Sequence, residues 1–196
     1  DLGHARGEGE GARLRHLAVG RKRAIGNHER ALVAGSPPGR SPEREVALWY
    51  QYYFQLERGR AGLAANRREI ARILWAQWSP NWPFDDACFE RTAMAHDNPD
   101  YVDVVIHSYR HRFGLAEADP QYQDFQRRLA TLPVIAVPSI TLDGSGDGVA
   151  PATDGTASAK RFTARRAHRV IPRAGHNLPQ EAPDAFAAAV MELVRA

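Results

Sequence analysis

The 196-residue chain is long enough for one domain with its own core, although 43% hydrophobic residues and a mean hydropathy of −0.48 make it a little lean in apolar content. No apolar run approaches the roughly 18 residues of a membrane span, and no charged-then-apolar leader opens the chain. The net charge of +3 does not read as nucleic-acid binding: residues 1–44 balance at +4, the remaining 152 at −1, and only Arg21-Lys22-Arg23 forms a basic block.

In chain order, residues 1–40 are rich in Gly and Arg and lack sustained periodicity, which predicts a poorly structured segment. Ala31 to Ala34 could form a short strand, closed by the turn cluster Gly35-Ser36-Pro37-Pro38-Gly39. The first residue is Asp1 rather than Met, as in a processed, cropped or partial chain.

From Ser41 the pattern becomes helical. Ser41-Pro42-Glu43 supplies an N-cap, a first-turn proline and an early acid. The helix that follows carries Trp49, Tyr50, Tyr52, Tyr53 and Phe54. A second helix is expected from Leu63 to Trp78, with Ile70, Ile73, Leu74 and Trp78 as its apolar stripe. Phe84 to Ala95 and Tyr101 to Phe113 follow, split by Asp97-Asn98-Pro99-Asp100. Residues 41–130 therefore form one helical block.

Residues 131–196 alternate. Val134 to Leu142 predicts a buried strand containing Pro138, Ala152 to Ala167 a helix, His168 to Pro172 a strand and Pro183 to Val194 a helix with Phe186, Val190, Leu193 and Val194 on one face. Strand, helix, strand, helix implies parallel strands, whose C-terminal loops are where such sheets place chemistry. Asp147, in LDGSGDGV, and His176, in RAGHNLPQE, fall on those loops. A carboxylate and a histidine so placed suit a charge-stabilised general base. Asp143 competes with Asp147 for the acid, and either could simply form a turn. His107, His111 and His168 read as structural or solvated. The nucleophile such a pair needs is absent from any G-x-S-x-G-like turn. The single Cys88 excludes an internal disulfide, suits a reducing cytoplasm and has no partners at zinc spacing, so a half-buried thiol with no metal is expected.

Together, LDGSGDGV followed by RAGHNLPQEAP resembles the acid and histidine segments of the α/β-hydrolase fold family, and the helical block ahead of them resembles that family's cap. The epoxide hydrolase branch is most similar, through YQYYFQ at residues 50–55 and HSYR at residues 107–110. The resemblance implies the C-terminal part of an α/β-hydrolase sheet with an all-helical cap insertion. It also implies that Tyr50 and Tyr109 grip an epoxide oxygen in a shared cavity facing His176, with Trp49 and Phe54 packed away from it. His176 would activate water to hydrolyse an aspartyl ester, and Asp147 would orient its ring. No cofactor is implied. The family's H-G-x-P and H-x-D-x-G segments are not intact here. Asp1-Leu2-Gly3 with Ala5-Arg6 is similar to the D-W-G-A-R of that turn and makes Asp1 a candidate nucleophile position.

An N-terminal half missing its strands would leave an exposed apolar sheet edge. The expected partner is a small, apolar to moderately polar substrate, with no nucleic acid or membrane and with a homo-oligomer allowed. Ester or carbon–halogen hydrolysis on the same fold, and a non-catalytic remnant or binding module, stay open as alternatives.

Overall fold

The computed structural model describes residues 18–20 and 41–195. The expectations at Asp1, at Ala31 to Ala34 and for most of the 1–40 segment lie outside them. Within that segment, Ala18–Gly20 forms a strand, β1, that the sequence pattern did not announce. Three residues are too few to display an alternation of period two.

β1 pairs in parallel with β2 (Ser139–Gly144), which pairs in parallel with β3 (Arg166–Ile171), in the order β1-β2-β3. The register sets Ile140 opposite Ala167 and Leu142 opposite Arg169. Four consecutive β2 residues, Ser139 to Leu142, are buried, as expected for a central parallel strand covered on both faces. The helices and 3₁₀ turns are the only regular elements of the described chain between the neighbouring strands β1 and β2, so they form an insertion into a parallel crossover. The result is a partial α/β fold carrying a helical cap.

Two elements of the C-terminal third differ from expectation. Pro138 precedes β2 rather than lying inside it, and Ile135 makes only an isolated bridge to Phe162. The helix expected over Ala152 to Ala167 shrinks to Thr156–Ala159. Here short polar side chains capture the backbone: Asp143 Oδ2 accepts the Thr153 N–H at 3.0 Å and Asp154 Oδ1 accepts the Thr156 N–H at 2.9 Å. Gly155, at φ 76°, reverses the chain between them.

The helical layer begins where Ser41 Oγ accepts the Arg44 N–H at 3.4 Å. Its helices are Pro42–Ala47, Trp49–Tyr53, Glu57–Ala65, Arg67–Trp78, Asp86–Ala93, Tyr101–Arg112 and Gln123–Ala130, with a 3₁₀ turn at Met94–Asp97. The expected Leu63 to Trp78 helix is broken at Asn66, whose side chain bonds back to the Gly62 carbonyl at 3.1 Å. Its apolar stripe also turns further than predicted. Ile73 is 49% exposed, whereas Ala71 and Trp75 are buried against Phe89. A second cluster gathers Tyr50, Phe54, Leu63, Leu74 and Ile106.

Beneath the sheet, Ile140 and Leu142 pack on Leu178, Ala189 and Leu193. Val194, expected on that inner face, is exposed. No described helix is long and apolar enough to cross a membrane.

Candidate active site

Asp147 lies three residues beyond β2 and His176 five beyond β3, so both loops leave the same end of the sheet. His176 Nδ1 sits 2.9 Å from Asp147 Oδ1 and 3.0 Å from Oδ2. A carboxylate only accepts, so Nδ1 carries a proton here, and in the neutral ring that leaves the lone pair on Nε2. The Asp147 side chain is 5% exposed and that of His176 22%. The acid is thus enclosed while the base remains reachable.

The turn-forming and histidine-binding readings of Asp147 are not alternatives. Its Oδ1 also accepts the Val149 and Ala150 N–H groups at 2.8 and 2.9 Å. Burial opposes ionisation of this carboxyl, but the hydrogen bonds from His176, Ala150 and Val149 and the nearby imidazole outweigh it. Its pKa is held below the usual aspartate value.

Asp143 belongs to a different cluster. Its Oδ2 binds the Thr153 N–H and hydroxyl and lies 3.8 Å from His168 Nε2. His168 in turn contacts Thr141 Oγ1 and the Thr153 carbonyl, closing a strap across β2 and β3. His111 is likewise engaged by the Ala116 carbonyl and Gln126.

The loops that carry Asp147 and His176 are both anchored to the end of the Arg67–Trp78 helix. A helix leaves its last carbonyls without intrahelical donors. Here the Trp78 carbonyl accepts the N–H of Gly148 and the N–H of His176, each at 3.0 Å. The approach requires glycine: a Cβ on Gly148 would stand 2.0 Å from the Gln77 carbonyl oxygen. The Trp78 indole packs edge-on against the His176 ring, centroids 5.2 Å apart, and against Tyr50 at 5.3 Å. Its Nε1 is buried without a hydrogen-bond partner.

Sequence reasoning missed Trp78 as part of this site, along with Ser79 and Glu181. The Ser-Pro following the helix marks its end and nothing more. For Glu181 the available signal was an acid one helical turn and a half beyond the histidine.

Tyr50 and Tyr109 come together although they are 59 residues apart: their rings meet edge to face with centroids 5.7 Å apart. Tyr50 is 3% exposed, and its hydroxyl accepts from Gln51 Nε2 at 3.3 Å. Phe54, 2% exposed, packs into the helical layer and touches both rings, with centroids 5.2 Å from Tyr109 and 6.4 Å from Tyr50. Trp49 faces outward enough for its Nε1 to reach Gln77 Oε1 at 2.9 Å. Tyr52, the near neighbour, instead donates to Glu45 at the exposed surface. Among the described residues no group of three His, Cys, Asp or Glu side chains could hold a metal.

Over 92% of its length the chain is similar, at 40% identity and a TM-score of 0.78, to a "putative epoxide hydrolase" of known crystal structure from Klebsiella pneumoniae subsp. pneumoniae. It spans 58% of that protein. Cfl2 from Burkholderia cenocepacia shares the fold at a TM-score of 0.59 and 17% identity, over 82% of this chain and 52% of its own. No family model and no curated protein matches.

Proposed function

We propose that these residues serve a hydrolase of the α/β-hydrolase kind that opens an epoxide to a diol. The observation that carries the reading is the Asp147–His176 pair, 2.9 Å apart, reached through Trp78 from the paired rings of Tyr50 and Tyr109. The 40% identity to the Klebsiella protein supports the same reading.

In this scheme a carboxylate nucleophile attacks an epoxide carbon, and the C–O bond breaks as the ester forms. The developing alkoxide takes hydrogen bonds from the phenols, which stay protonated at neutral pH yet donate well. His176 Nε2 then removes a proton from water, and the resulting hydroxide attacks the ester carbonyl. Collapse of that intermediate breaks the ester C–O bond, and the two oxygens of the diol take the two protons of the water, one returned by the imidazolium and one released from the hydroxide oxygen as the carboxylate re-forms. Asp147 holds the ring in the Nδ1–H tautomer and offsets the positive charge. No described residue is assigned as the nucleophile, and Asp1 is the position the resemblance offers.

The test joins this chain to the N-terminal part of the Klebsiella protein and follows diol formation from a simple epoxide. Turnover should fall about a hundredfold in Tyr109→Phe and in Tyr50→Phe, the scale of losing one oxyanion donor. A joined enzyme without epoxide turnover would sink the proposal. Ester turnover that survives both changes would reassign the site to ester hydrolysis.

A further inference from the structure

We propose that Glu181 is the positioning residue of this site, its carboxylate acting with Ser79 to fix the 175–177 turn so that His176 Nδ1 meets Asp147. The proposal rests on the His176–Asp147 pair being the working base, as argued above.

Three consecutive backbone donors of the histidine turn have acceptors outside it. The Gly175 N–H goes to Glu181 Oε2 at 2.6 Å, the His176 N–H to the Trp78 carbonyl at 3.0 Å and the Asn177 N–H to Glu181 Oε1 at 2.8 Å. Oε1 also accepts the Ser79 hydroxyl at 2.6 Å. The carboxylate thus spans the histidine, holding the residue on either side of it, while Ser79 ties that carboxylate to the helical layer. Ser79 is 1% exposed, so the link runs through the interior.

A carboxylate suits this place for a specific reason. The two flanking N–H groups reach different oxygens of one planar group, and only a group that accepts at both ends satisfies them. An amide would turn one end into a donor facing a donor. The fit is close: a Cβ on Gly175 would lie 2.6 Å from Ser79 Cα and 2.9 Å from Glu181 Oε2. A turn held at three successive donors has little freedom to swing the imidazole away from Asp147. Releasing the flanking pair removes the two short contacts on either side of the histidine and leaves the Trp78 carbonyl with the longer Asn177–Ser79 contacts at 3.4 and 3.5 Å.

The experiment reads the His176 ring directly, by imidazole ¹⁵N and Nδ1–H proton resonances of this chain, with its melting temperature recorded alongside. The parent should show a protected Nδ1–H. Glu181→Gln should lose that protected signal and average the two neutral tautomers. Ser79→Ala, which deletes one hydrogen bond without a charge, should weaken the signal in the same direction. Should the Gln variant fail to fold, Ser79→Ala decides alone. An Nδ1–H resonance as strong in the variants as in the parent would overturn the proposal, even with a lowered melting temperature, because Glu181 would then only stabilise the turn. Loss of the signal in a chain whose joined form turns over no epoxide would keep the positioning role and reject the epoxide reading.

Discussion

The Trp78 carbonyl accepts the His176 N–H at 3.0 Å while the indole of the same residue packs edge-on against the His176 ring, 5.2 Å between centroids. Backbone and side chain of one helix-terminal residue thus hold the histidine from two directions. The same carbonyl accepts the Gly148 N–H, so the acid loop and the base loop share a reference point in the helical layer. Asp147 and His176 are aligned through that layer as well as through the sheet.

A substitution at Gly148 tests the shared reference. Gly148→Ala places a methyl 2.0 Å from the Gln77 carbonyl oxygen, against rigid helix backbone rather than a flexible side chain. We expect a loss of about 1–3 kcal/mol, the range for overpacking a tight contact, read from denaturant melts. The His176 Nδ1–H resonance should broaden in parallel. An unchanged melt would show that the loop can shift freely and that the anchoring is weak.

Asp147 makes stability depend on pH in a definite direction. Its folded-state pKa is lowered, so as pH falls through the usual aspartate value, about 3.9, the unfolded chain takes up a proton that the folded one still refuses. The contribution is complete above that range and is lost as pH drops through the folded value. Asp147→Asn should flatten this part of the curve of unfolding free energy against pH. His96 falls in a separate window: burial and the neighbouring Arg68 lower its pKa, so its part of the slope begins below about 6.5. A parent and Asp147→Asn variant with parallel curves at acid pH would contradict the assignment.

The legible and illegible parts of the sequence divide along physical lines. The parallel strand ends and the Asp147 and His176 loops were readable because Gly-rich turns after buried apolar runs mark strand exits. Ser41-Pro42 marked its helix start for the same local reason. Asn66 and Asp143 were harder, since a single polar side chain bonding to nearby backbone ends one helix and prevents another without altering composition. β1 is too short to carry a pattern. The role of Glu181 was hidden because two of its donors are backbone N–H groups, of Gly175 and Asn177, which no residue type marks, and the third is the hydroxyl of Ser79, 102 residues away in sequence.

Asp143 and Asp147 are separable by mutation. Asp143→Ala removes the acceptor for the Thr153 N–H and hydroxyl at 3.0 Å and leaves His168 without its nearby acid. Thr153 is exposed and water can replace the lost acceptor, so a loss of about 0.5–1.5 kcal/mol is expected, the net contribution of a typical hydrogen bond. The His176 ring signals should stay as in the parent. Disturbance of His176 by this change would join the two clusters that the geometry keeps apart.

The rotated face of the Arg67–Trp78 helix gives the last prediction. The sequence stripe would turn Ile73 inward, yet Ile73 is 49% exposed and Trp75 8%, with Phe89 completely buried between Trp75 and His96. The guanidinium of Arg72 also covers the Phe89 ring at 4.2 Å. Phe89→Ala should cost about 3–5 kcal/mol, since it empties a site closed by aromatic rings that cannot collapse easily. Ile73→Ala should cost no more than about 0.5 kcal/mol, as for an exposed position away from such features. Paired denaturant melts decide between the two faces, and a larger loss at Ile73 than at Phe89 would restore the stripe read from the sequence.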